Sequence, residues 1–145
     1  MKPIELKIKG LNSFMDTQTI DFRKLTSRGI FGIFGPTGSG KSTVLDGITL
    51  ALYGEIARKS SNFINVNCTS LMVSYEFQIS DKKVKIYRVE REFRRESKTG
   101  KVRSKSARIL DVTCGMENIL EEGAKKVTEK CEEILGLKLE DFTRT

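Results

Sequence analysis

The residues with the most evident chemistry are contiguous. Gly35, Pro36, Thr37, Gly38, Ser39, Gly40, Lys41 and Ser42 satisfy the pattern G-x-x-x-x-G-K-[ST] in full, and Thr43 extends the turn. Each position has a physical reason. Glycines allow positive φ and a close backbone approach, so that successive amides converge on phosphate oxygens with no Cβ in the way. A helix opening at Lys41 adds its unpaired N–H groups and the positive end of its dipole. Lys41 is placed to reach the β and γ phosphates, and the Ser42 hydroxyl to ligate magnesium. A glycine-rich turn with a merely solvated lysine is the plainer alternative. The full pattern between a buried strand and an amphipathic helix is far more specific than that, and predicts binding of ATP with Mg2+.

Such a loop works only if a strand delivers it and a helix receives it. Gly29 to Phe34 is a nearly continuous apolar run, as in a strand covered on both faces, and leads directly into the loop. From Lys41 to Tyr53, Val44, Leu45, Ile48 and Leu52 recur at helical spacing and Gly54 supplies a stop. Ahead of these, Ile4, Leu6 and Ile8 alternate with polar residues, and a second short strand from Thr19 to Phe22 is expected to pair with them antiparallel. Glu55 to Asn67 is polar and irregular. Three β-like segments follow, Leu71 to Ile79, Lys83 to Phe93 and Ala107 to Thr113, with a basic turn from Arg94 to Lys105 between the last two. Ala124, Val127, Cys131, Ile134 and Leu135 then predict a helix closed by Gly136, and a short segment runs from Leu139 to Phe142. There are no repeats and no linker. The expected architecture is α/β, a P-loop NTPase fold with a large antiparallel share, in one unit over residues 1–145.

Composition narrows the chemistry further. The 145 residues are 38% hydrophobic and 31% charged, with a net charge of +7, as in an ordinary globular chain. No apolar run approaches the roughly 18 residues that span a bilayer, and Met1 to Gly10 is no signal peptide, so no membrane contact and a cytoplasmic location are expected. Cys68, Cys114 and Cys131 lie far apart and read as buried thiols. There is no histidine, which removes the commonest general base. Hydrolysis at a P-loop also needs an acidic residue after a hydrophobic strand and a group that orients water. Asp111, after Ile109 and Leu110, is preceded by Arg108, and Asp46 lies within the helix after the loop. Gln18 and Gln78 sit in no catalytic context. The chain alone is therefore expected to bind nucleotide without turning it over, with no catalytic residue of its own.

Charge is concentrated in one place. Lys82 to Arg108 holds twelve Lys or Arg against three Glu, whereas the rest of the chain has fourteen basic and sixteen acidic residues. Alternation puts Lys85, Tyr87, Val89, Arg91 and Phe93 on one face of a strand and Ile86, Arg88, Glu90 and Glu92 on the other. The stronger cluster is the turn, where Arg94, Arg95, Lys98, Lys101, Arg103 and Lys105 could track a phosphate backbone without reading bases. Six engaged phosphates would give a salt slope of about −5 in log K against log[salt]. A solvated hairpin whose lysines protect an edge strand reads the same charges without any ligand.

The stretches IELKIKGLNSF, FGPTGSGKSTVLDGITLALYG, IYRVEREFRR and EILGLKLEDFTRT together make nearly the whole chain resemble the N-terminal lobe of the SbcC family, the SMC-like ATPase subunit of the SbcCD nuclease. The resemblance implies half of an ABC-type head. The other half would be a C-terminal lobe carrying the acidic and switch residues, and two heads would sandwich two ATP molecules. It also implies an SbcD-like nuclease partner, double-stranded DNA as ligand, and a loop with a magnesium-contacting Gln just beyond Thr145, so that the lobe is expected to be incomplete. A self-contained P-loop kinase or small NTPase acting on a metabolite is the competing reading. Against it stand the two β-like segments before the loop and the β-meander after the helix, where alternating β and α units would be expected.

Overall fold

A computed structural model describes residues 1–11, 16–23, 39–55, 64 and 68–143. Its frame is a six-stranded antiparallel sheet. The strands are β1 (Lys2–Lys9), β2 (Gln18–Asp21), β3 (Ser70–Ser80), β4 (Val84–Arg95), β5 (Val102–Asp111) and β6 (Asn118–Glu122), in the order β2-β1-β3-β4-β5-β6. Helix α1 (Ser39–Tyr53) falls between β2 and β3; α2 (Ala124–Leu135) and the short α3 (Leu139–Thr143) follow β6. The sequential meander from β3 to β6 is what a kinase of alternating β and α units would lack. Among the described residues no helix is long and apolar enough to cross a membrane.

The strand alternation read from the sequence is what buries one face. Ile4, Leu6 and Ile8 on β1, Leu71, Val73, Tyr75 and Phe77 on β3, and Tyr87, Val89 and Phe93 on β4 all point into the core. Tyr75, Phe77 and Tyr87 line up as neighbouring rings, with centroids 5.4 and 5.7 Å apart. Helix α1 lies over this face. At Gly47 it comes so close to β1 that an added Cβ would sit 2.6 Å from Cδ1 of Ile8. Val127 and Cys131, four apart on α2, enter the same core. Both helix stops work as read. Gly54 takes φ +76° and donates its N–H to the Leu50 carbonyl at 2.9 Å, and Gly136 takes φ +68° and donates to Glu132 at 2.8 Å.

Several boundaries move. The predicted pair of β1 with a second strand is present, in the register Leu6↔Ile20. Helix α1 starts two residues earlier than the apolar spacing indicates. The supposed turn from Arg94 to Lys105 is mostly strand: β4 runs to Arg95 and β5 begins at Val102, and a bulge between Glu92 and Phe93 accommodates the hairpin's twist. Strand β6 has no counterpart in the sequence reading. Of the three cysteines expected to be buried, only Cys131 is; Cys68 is half-buried, and Cys114 is exposed on a 3-10 turn at φ +60°. The strand read at Gly29 to Phe34 and nearly all of the irregular stretch from Glu55 to Asn67 lie outside the described residues.

Candidate nucleotide-binding site and basic hairpin

The phosphate motif divides at the start of α1. Ser39, Gly40, Lys41, Ser42 and Thr43 form the first turn of the helix, while Gly35, Pro36, Thr37 and Gly38 lie outside the described residues. The first four N–H groups of a helix have no intrahelical partner, and the dipole places positive charge there. Such a helix start suits an anionic group such as a phosphate. No acidic residue occupies the first turn of α1 to oppose an anion.

The other end of α1 is held by a residue the sequence reading placed only on a strand face. Arg91 of β4 is 3% exposed, buried against the last turn of the helix. Its Nε donates to the Ala51 carbonyl at 2.6 Å and Nη2 to the Leu52 carbonyl at 3.0 Å. Nη2 also reaches Oγ1 of Thr128 on α2 at 3.0 Å, and Nη1 the Ala124 carbonyl at 3.4 Å. The Thr128 hydroxyl in turn lies 3.2 Å from the Tyr53 carbonyl. No carboxylate pairs with this guanidinium among the described residues, so its counter-charge is the negative end of the α1 dipole. Burial pulls its pKa down to about 10. Gly54 makes room: a Cβ there would meet Nη1 of Arg91 at 3.1 Å. Alternation could have flagged Arg91 as the one charged residue between Val89 and Phe93 on a core-facing row.

The acidic and glutamine candidates named from the sequence lie apart in the fold. Asp111 accepts from the Thr113 hydroxyl at 2.6 Å and its N–H at 3.0 Å, which holds its carboxyl below the usual range and shapes the turn after β5. Asp46 is buried along α1. Gln78 donates to the Ser80 hydroxyl at 3.0 Å on an exposed strand end. Among the described residues no group of three His, Cys, Asp or Glu is arranged to hold a metal ion.

The six basic residues singled out around the β4–β5 turn gather at one end of the sheet, but their charges are not equivalent. Arg95 turns toward backbone, donating to the Ile64 carbonyl at 2.8 Å and the Cys68 carbonyl at 3.2 Å, while its own N–H donates to Thr69 at 2.8 Å. Arg103 is paired with Glu96, and Lys105 with Glu92 at 3.1 Å. Arg94, Lys98 and Lys101 have no partner among the described residues and are exposed. Arg94 stands directly opposite Arg103 across the hairpin, a like-charge pair that Glu96 relieves. Elsewhere on the open face a groove of about 860 Å³ runs between Lys7 and Lys9 on β1 and Lys105 and Arg108 on β5, over Glu90 and Glu92. Its mixed signs do not concentrate positive charge, whereas the hairpin tip does.

A sequence profile for the family described as AAA domain matches residues 5–144. The chain is 70% identical, over its full length, to the SbcC subunit of the nuclease SbcCD from Clostridium acetobutylicum. It is 45% identical to the SbcC subunit from Bacillus subtilis and 33% identical to that from Deinococcus radiodurans, each over 99% of this chain. The chain spans 12%, 13% and 15% of the length of these three relatives.

Proposed function

The chain belongs to the AAA-domain family, and from that premise we propose that it is the ATP-binding N-terminal lobe of an SbcC-like ATPase that serves DNA double-strand-break repair. Nucleotide binding goes with the family; ATP with Mg2+, held by Gly35 to Thr43, is the specific reading. Lys41 binds the phosphates and Ser42 the metal. The observation that carries the proposal is the coincidence of the full phosphate motif with the amino end of a 15-residue helix packed on the sheet. Hydrolysis is completed in trans: a C-terminal lobe supplies the acidic partner and the water-orienting group that Asp46, Asp111, Gln18 and Gln78 do not, and a second copy of the head closes over the nucleotide. The assembly works in the cytoplasm and controls an SbcD-like nuclease acting on double-stranded DNA ends. Its contact with DNA includes the β4–β5 hairpin.

Isothermal calorimetry with Mg-ATP tests the site. The 145-residue chain is expected to bind, and Lys41→Ala to lose at least about tenfold in affinity, since a charge-assisted phosphate contact is worth roughly 1.5–3 kcal/mol. Equal affinity of the two proteins would remove Lys41 from the site.

A further inference from the structure

Arg91 does more than end a helix. Gly54 already terminates α1 and satisfies the Leu50 carbonyl, so a stop alone did not require burying a guanidinium in the core. What the arginine adds is geometry. Its planar fork makes four hydrogen bonds from β4 to α1 and α2, and a bidentate fork fixes both the rotation and the axial position of the helix it holds. A 15-residue helix is about 22 Å long and moves as a rod, so holding its carboxyl end sets where its amino end, the phosphate site, sits. Four residues beyond Arg91 on the same strand is Arg95, which anchors the base of the hairpin to the Ile64 and Cys68 carbonyls.

We infer that Arg91 is a positioning residue whose guanidinium latches the carboxyl end of α1 to β4 and α2, so that nucleotide binding at the amino end of α1 is coupled to the conformation of the β4–β5 hairpin. The coupling half of this inference rests on the phosphate-site reading. The latch itself does not. Arg91 touches neither nucleotide nor DNA and acts through the position of α1.

Hydrogen exchange on the 145-residue chain tests both halves, with Arg91→Met, the milder Arg91→Lys, and Phe77→Leu as a core truncation away from the latch. Without nucleotide, loss of the fork is expected to speed exchange along α1 at least about tenfold beyond the uniform change seen in Phe77→Leu. Arg91→Lys, which keeps the charge but not the fork, falls between and carries the comparison if Arg91→Met does not fold. If α1 in both Arg91 variants exchanges as in Phe77→Leu, the latch is refuted whatever ATP does. With Mg-ATP, the wild-type hairpin amides of Glu96 and Gly100, which donate to Lys101 and Glu96, are expected to slow about fivefold. Phe77→Leu should keep that response and Arg91→Met should lose it while still binding ATP. A wild-type chain that binds ATP with no change at the hairpin overturns the coupling. A wild-type chain that binds no ATP overturns the phosphate-site reading and the coupling together, and leaves the latch decided by the nucleotide-free comparison.

Discussion

The hairpin makes a quantitative prediction about salt that differs from the one its composition suggests. Six basic residues would release counterions with a slope of about −5. In the folded chain Arg103 and Lys105 each stand beside a glutamate, and Arg95 is committed to backbone carbonyls. A phosphate that engages Arg103 leaves the charge of Glu96 unmatched, so no net counterion is released there. Arg94, Lys98 and Lys101 remain, and three phosphates at about 0.9 each give a slope of about −2.7. Lys82 and Lys83 do not join them, because they lie beyond the other end of the 12-residue strand β4, about 35–40 Å away. The double substitution of Lys98→Ala with Lys101→Ala should flatten the slope to about −0.9. Glu96→Gln should steepen it to about −3.6, because it frees Arg103 while a glutamine can still accept the 2.9 Å hydrogen bond from Thr99. Fluorescence anisotropy of a labelled duplex over several salt concentrations measures all three. A wild-type slope near −5, or a slope that Glu96→Gln leaves unmoved, would show that the ion pairs do not decide which charges meet DNA. A slope indifferent to the lysine pair would move the DNA surface away from the hairpin.

Negligible ATP turnover is expected from the 145-residue chain, with Lys41→Ala as blank; several turnovers per second would sink the half-head reading. Gly47→Ala should lower stability by about 1 kcal/mol, the 1–3 kcal/mol of overpacking against Ile8 and Leu6 being partly offset by alanine's helix propensity, and thermal melting should register a fall of about 2–4 °C. Cys114 should react promptly with a thiol reagent while Cys131, whose pKa burial pushes up to about 12, stays unmodified until the chain unfolds. The raised value also fixes a sign. Keeping that thiol neutral stabilises the fold fully below the unfolded pKa of about 8.5 and is lost as pH rises toward 12, so stability should decline on the alkaline side, which a melt series from pH 8 to 11 would detect.

The elements that could be read in advance share a local cause. Alternation of Ile4, Leu6 and Ile8, the 3.6-residue spacing within α1 and α2, and glycine stops at Gly54 and Gly136 each depend on neighbours along the chain. What escaped depends on distant partners. NILEE from Asn118 is polar enough to pass for loop, and becomes β6 because β5 offers an unpaired edge in the register Ile109↔Glu121. Arg94, Arg95, Arg103 and Lys105 look like solvated turn until cross-strand carboxylates and carbonyls are in place to let β4 and β5 continue through them. Arg91 is the sharpest case, because acceptors distant in the chain, at the carboxyl end of α1 and on α2, explain a cation in the core.

The strand order has a consequence for the birth of the fold. From β3 to β6 every neighbour in the sheet is also the next strand in the chain, joined by short connections, whereas β1 pairs with β3 across the sixty residues that separate Lys9 from Ser70. Short loop closures are fast and long ones slow, so the meander can assemble as a unit before β1 and α1 dock on it. During synthesis the order is reversed. At about 5–20 residues per second, β1 emerges several seconds ahead of its partner and α1 precedes the face that buries it. Helix α1 thus waits, with Val44, Ile48 and Leu52 uncovered, for a sheet still being made.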